Sequence, residues 1–237
     1  MKGSAMNVLM IGNSHTYFND MPHLFATMCE SLGQEKPNVT MLAYSGRALR
    51  WHTKEYFSIR FALLYGNYDY CVIQQLGHPF PGLEQTEPEV RTLSALCKAC
   101  GTKPVLYMTW AKKDDPERIS EISAAYRTLS ERYDTLLAPI GELFETLRMR
   151  HPEIELYWRD GSHASKNASY LIAATFASLL TGQRDLSKLT DESIDFDVQF
   201  DSEHPKAIED RRRLSAALDP KTAAILRKTV ESALPCK

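Results

Sequence analysis

Two short strings in the sequence carry the side chains that could make an activated serine nucleophile. Gly12-Asn13-Ser14-His15 follows the apolar run Asn7 to Ile11, and Asp160-Gly161-Ser162-His163 precedes the apolar run Ala168 to Thr181. A serine hydroxyl becomes a nucleophile when a base takes its proton, and that base needs an acceptor on its other ring nitrogen. Ser14, His163 and Asp160 supply the three parts. The glycine between Asp160 and His163 lets one tight turn present both side chains to one place. Each string also has a plainer reading. Ser14 or Thr16 can simply cap a helix, and the second string can be a capped helix start with an exposed histidine.

Two further strings offer groups that could stabilise negative charge on a carbonyl oxygen. In Tyr44-Ser45-Gly46-Arg47 the Gly46 N–H is unobstructed by a side chain. In Gln74-Gln75-Leu76-Gly77-His78 two adjacent glutamines end an apolar run, where each amide needs a partner. One amide facing a polar site would satisfy that need. Asn13, Trp51, His52, Trp110 and Arg47 fall close to these strings, and polar and aromatic groups of this kind suit the face of a sugar. Trp51 and Trp110 fit a core equally well, and His15 either lines the pocket or faces solvent.

These strings must be brought together by the elements between them. Five apolar runs, Asn7 to Ile11, Asn38 to Ala43, Tyr70 to Gln75, Lys103 to Thr109 and Thr135 to Ala138, read as strands. They alternate with helical patterns over Met21 to Leu32, Thr53 to Tyr65, Pro88 to Cys100, Pro116 to Tyr133 and Gly141 to Arg150. Such alternation predicts an α/β fold, a three-layer α/β/α sandwich with a five-stranded, mostly parallel sheet in flavodoxin-like order. Open parallel sheets gather reactive groups at the carboxyl ends of their strands, which is where three of these strings stand or begin, the Asp160 to His163 string falling in a later loop.

Ile11-Gly12-Asn13-Ser14 resembles the GDS block of the SGNH, or GDSL, hydrolase superfamily, with Asn in place of Asp. Asp160-Gly161-Ser162-His163 is similar to that family's closing DxxH block, and Gly46 falls where its second block has an oxyanion glycine. The resemblance extends to about residue 182. It implies metal-free and cofactor-free hydrolysis of esters, often acetyl groups on carbohydrates, with Ser14 as nucleophile, His163 as base and Asp160 as its orienter. The Ser14 N–H, the Gly46 N–H and one side-chain amide would form the oxyanion hole. The family's third block, GxND, is missing. Gln75 is the expected replacement for its Asn, with Gln74 and His78 as rivals. Asn13, His52 and Trp110 are expected to touch substrate. A lipase- or thioesterase-type acylhydrolase is the alternative on the same fold, and a non-catalytic carbohydrate-binding relative is the alternative outside enzymes.

Composition narrows the partners. The 237 residues carry 28 Lys and Arg against 30 Asp and Glu, a net charge of −2, with 43% hydrophobic residues. That balance argues against nucleic acid, and no apolar run approaches the length of a membrane span, so a small-molecule or carbohydrate ester is the expected partner. The first strand–helix turn lacks a GxGxxG or P-loop, against a nucleotide or flavin binder. Five scattered cysteines, with one CxxC at Cys97 and Cys100 inside a helical pattern, suggest a reducing, cytoplasmic setting rather than a disulfide framework. Residues 1–5 read as an added leader ahead of Met6, residues 6–186 as the catalytic α/β domain, and residues 187–237 as a helical extension packing on it. The basic triplet Arg211, Arg212 and Arg213 reads as a solvated helix face.

Overall fold

Strand β1 (Asn7–Gly12) is buried along nearly its whole length, because in this protein it has a strand on each side and helices on both faces. A computed structural model describes residues 5–194 and 215–234. After β1 come α1 (Ser14–Tyr17), α2 (Met21–Ser31), β2 (Asn38–Ala43), α3 (Leu49–Lys54), α4 (Tyr56–Gly66) and β3 (Tyr70–Gln74). The second half adds α5 (Leu83–Ala99), β4 (Lys103–Tyr107), α6 (Ile119–Tyr133), β5 (Leu136–Ala138), α7 (Ile140–Arg150) and α8 (Lys166–Thr181). The five strands are all parallel in the order β2-β1-β3-β4-β5. This is the flavodoxin-like α/β/α sandwich the alternation predicts.

The pleat divides the strand side chains between two cores. Val8, Met10, Val72, Val105 and Tyr107 face α2, α7 and α8, whereas Leu9, Ile11, Cys71, Ile73 and Leu106 face α3, α4, α5 and α6. Helix α8 is buried on nearly every side, which explains its near-continuous apolar run. Cys97 joins the second core, where its thiol lies beside Cys71, so the CxxC is split between a buried cysteine and the half-buried Cys100.

Some boundaries differ from those read in the sequence. The expected helix Thr53 to Tyr65 is two helices, α3 and α4, that break at Glu55. Helix α4 carries apolar side chains on two faces: Ile59 and Leu63 enter the core, while Phe57, Phe61 and Tyr65 stack as an outward ladder. Helix α5 begins at Leu83 rather than Pro88, so Pro88 lies inside it, in the second turn, where it gives up one intrahelical hydrogen bond. Beyond α8, β6 (Glu192–Ile194) pairs antiparallel with β7 (Ser215–Ala217), and α9 (Pro220–Ala233) packs on α7 and α8. The Asp219 carboxylate caps α9 by accepting from the Thr222 N–H. Arg211, Arg212 and Arg213 lie outside the described residues.

Candidate active site

Strand β1 ends in Gly12, and the chain turns at once into α1 with Ser14 as its first residue. Only glycine fits here. A Cβ on Gly12 would stand 2.3 Å from Thr16 Oγ1 and 2.4 Å from Gln74 Oε1. Gln74, reaching across from the end of β3, accepts from the Asn13 N–H at 2.8 Å and from Thr16 Oγ1 at 2.9 Å, which clamps both ends of the turn. Asn13 Oδ1 accepts from the His15 N–H, and its Nδ2 donates to the Arg47 carbonyl at 3.0 Å. The nucleophile turn and the Gly46 loop are thereby tied to each other.

The Gly46 loop is a tight turn in which the Arg47 N–H donates to the Tyr44 carbonyl, with Gly46 at φ +67°. That left-handed conformation is one a side chain would strain. The Gly12 carbonyl holds the loop from the other side, accepting from the Tyr44 N–H at 3.1 Å and from the His52 ring at 2.8 Å. Among the described residues neither the Ser14 N–H nor the Gly46 N–H has a partner within the protein.

Asp160 and His163 arrive on the loop before α8. Asp160 Oδ1 accepts from the N–H groups of Ser162 and His163, each at 2.9 Å, with Gly161 at φ +68° between them. The loop is pinned by the Trp158 N–H on the His163 carbonyl and by the Lys113 N–H on the Gly161 carbonyl. Asp160 Oδ2 lies 2.5 Å from His163 Nδ1, and His163 Nε2 lies 2.8 Å from Ser14 Oγ. An ionised carboxylate only accepts, so Nδ1 carries the proton and Nε2 is left to accept from the Ser14 hydroxyl. Burial pushes the Asp160 carboxyl up, but the bonds from the His163 ring and the two N–H groups outweigh it and hold it below its usual range. Phe18 stacks on the His163 ring at 4.4 Å and 18°, fixing its plane. The three residues are half-buried to exposed, open to an incoming molecule on one side.

Four expected roles need correction. Gln75 does not offer its amide to the site. Its Nε2 donates to Thr86 Oγ1 on α5, and its Oε1 accepts from the Leu49 and Leu76 N–H groups. Adjacent strand residues face opposite sides, and the site side falls to Gln74, whose own Nε2 donates to the Gln75 carbonyl. His52 is 2% exposed and spends its ring on the Gly12 carbonyl. Trp110 is fully buried, stacked on Phe144 at 4.3 Å, with its Nε1–H on the Ser162 carbonyl. Asn13, 1% exposed, joins two loops. These three position the site rather than line it. Phe18 and Gln74 are the positioning residues that the sequence conceals: the signal for Gln74 was the awkward glutamine pair, and Phe18 gave none.

A cluster of imidazoles packs behind His163. His15 lies edge-on to His163 at 4.9 Å and edge-on to His78 at 5.0 Å. Burial, and then the charge of neighbouring histidines, holds His15 well below its usual pKa. Burial, followed by Lys112 and His163, lowers His78 to about 4, with Asp160 and Asp114 opposing. Burial also lowers His52. These rings are neutral in the fold yet gain protons in the unfolded chain below its ordinary pKa of about 6.5, so the unfolded state binds more protons in that window. Stability is therefore full above pH 6.5 and falls on acidification toward pH 4, by up to about 1.4 kcal/mol per pH unit for each such ring. Urea midpoints at pH 7.5, 6.5 and 5.5 should fall in that order, above the range where ordinary carboxylates titrate. A flat series would show that these rings protonate freely in the folded protein.

Comparison with known proteins places this geometry. No protein-family model and no curated protein matches the chain. Among solved structures, it is 28% identical to a candidate SGNH hydrolase from Slackia heliotrinireducens, with a TM-score of 0.63 over 75% of this chain and 100% of that one. A DUF4886 family protein from Bacteroides uniformis matches over 97% of this chain and 95% of its own, at 16% identity and a TM-score of 0.66. An acetylxylan esterase from Geobacillus stearothermophilus shares the fold at 18% identity and a TM-score of 0.57, over 74% of this chain and 94% of that one. With its nucleophile turn, its Asp-Gly-Ser-His loop and this fold, the chain is similar to SGNH/GDSL hydrolases, and these structural neighbours support an ester hydrolase of that type.

Proposed function

We propose that this protein is a serine esterase that removes a short acyl group, acetyl above all, from a carbohydrate or similar hydroxyl-rich alcohol. The observation that carries the reading is His163, bridging Ser14 Oγ at 2.8 Å and Asp160 at 2.5 Å. His163 takes the Ser14 proton as Oγ attacks the ester carbonyl. The Ser14 and Gly46 N–H groups, unpaired among the described residues, donate to the oxyanion, and one such donor is worth about 3–4 kcal/mol in known cases. The tetrahedral adduct collapses to an acyl-serine as the alcohol leaves with the His163 proton. Water, deprotonated by His163, then releases the acid and returns the proton to Ser14. Asp160 remains ionised and holds the ring tautomer.

The lip beside Gly46 supports a sugar on the alcohol side. Tyr44, 47% exposed, packs on Trp51 at 4.7 Å, and the Arg47 guanidinium lies 5.5 Å from the Trp51 ring centre. Aromatic faces next to a cation give flat apolar surface and hydrogen-bond donors together. The acetylxylan esterase on the same fold fits this reading. The unpaired cysteines support a cytoplasmic location, and among the described residues no helix is long and apolar enough to cross a membrane.

Hydrolysis of 4-nitrophenyl acetate and 4-nitrophenyl octanoate tests the acyl preference. The acetyl ester should give a kcat/KM at least about tenfold higher, a difference of about 1.4 kcal/mol. A preference for octanoate would move the protein to the lipase or thioesterase class.

A further inference from the structure

The oxyanion hole described so far has two backbone donors, and the side-chain donor expected from Gln75 is spent on Thr86. A different side chain from the same strand end is uncommitted. His78 follows β3 by four residues, and β3 lies directly beside β1, with Ile73 paired to Ile11. The His78 ring is half-buried, yet its Nε2 is fully covered and, among the described residues, has no hydrogen-bond partner. A buried polar nitrogen without a partner is uncommon and calls for a reason.

The surroundings say what that reason is. The preceding residue, Gly77, lies against His15, the neighbour of the nucleophile, so closely that a Cβ there would stand 2.9 Å from the His15 ring. His15 in turn sits between His78 and His163, edge-on to each, at 5.0 and 4.9 Å. The segment from Gly77 to His78 is therefore clamped to the nucleophile turn, and its imidazole stands one ring away from the base. Kept neutral by burial and by the charges of Lys112 and His163, that imidazole carries one N–H and no charge that would oppose the forming His163 imidazolium. The second torsion of a histidine is broad, so the ring can swing to meet an oxygen at little cost.

We propose that His78 Nε2–H is the third donor of the oxyanion hole, bonding the carbonyl oxygen of the bound ester as negative charge develops there. This rests on the serine-esterase reading. No bond is made or broken at His78. It donates a hydrogen bond that strengthens from the ester to the tetrahedral adduct and keeps its proton throughout. A neutral imidazole thus does what a primary amide does in the family's third block, from the Gly-His string that stands in place of GxND.

The test compares H78F, H78N and S14A in hydrolysis of 4-nitrophenyl acetate, after thermal unfolding confirms that each is folded. H78F removes the donor and keeps a ring, and should lower kcat by about 100- to 1000-fold, the loss seen for one oxyanion donor, with KM within about threefold. H78N restores a donor and should stay within about tenfold of the wild type. If both variants match the wild type, or both lose activity equally, His78 is not a donor. S14A separates this failure from the larger one: an inactive S14A keeps the esterase reading, and an active S14A overturns both. Should H78F not fold, H78L against H78N decides by the same criterion.

Discussion

Replacing Ser14 or His163 by alanine is expected to lower kcat by about 10⁶-fold, the scale of loss when either half of a nucleophile–base pair is removed from a serine hydrolase. The reason is geometric. Ser14 Oγ bonds His163 Nε2, and among the described residues no other partner is present to take its proton. Without the base the hydroxyl stays protonated, and without the hydroxyl only water remains to attack. The two losses should not add in the double variant, because the residues act as one unit. Ser14 is half-buried and among the described residues its side chain makes no other bond, so S14A should unfold like the wild type. His163 also stacks on Phe18, so H163A should be the less stable of the two while still folding. Esterase assays with each purified variant, beside thermal unfolding, check both statements. Activity within tenfold of the wild type in either variant would contradict the assignment.

Asp160→Asn is expected to lower kcat by about 10⁴-fold, through the tautomer and not through the loop. Asp160 has two separate tasks. Oδ1 accepts from the Ser162 and His163 N–H groups and shapes the turn, while Oδ2 accepts from the ring. An asparagine can keep the first task with its own oxygen. Its NH₂ then faces Nδ1 and favours the ring with the proton on Nε2, where it cannot accept from Ser14. Asp160→Ala loses both tasks, so it should be no more active than the asparagine variant and less stable. The paired measurement, kcat and unfolding midpoint for both variants, separates ring orientation from turn formation. Equal activity of D160N and the wild type would mean that the carboxylate does not set the tautomer.

Much of this was legible in the sequence because it is local. The five apolar runs and the helical stretches between them determine a parallel sandwich, and the chain realises it in the order β2-β1-β3-β4-β5. The Asp160 to His163 string could be read because a three-residue turn is built from its own backbone and side chain. What the sequence hid depends on which face a residue takes. Gln74 and Gln75 are chemically alike, and only strand register decides that Gln74 meets Asn13 while Gln75 meets Thr86. His52 and Trp110 come just after strand ends in the chain, but packing turns the first onto the Gly12 carbonyl and the second into the core beside Phe144. Phe18 stacks on a ring 145 positions away, a contact made by the fold of the whole domain. The helix break at Glu55 was likewise invisible, since no proline or glycine marks it.

The central claim, that Ser14 is an activated nucleophile, is tested most directly with a fluorophosphonate probe, read by intact mass and peptide mapping. The account predicts one adduct on the peptide carrying Ser14 in the wild type, and none in S14A or H163A under the same conditions. Folded wild-type protein that stays unlabelled at Ser14, or is labelled equally well without His163, would contradict it.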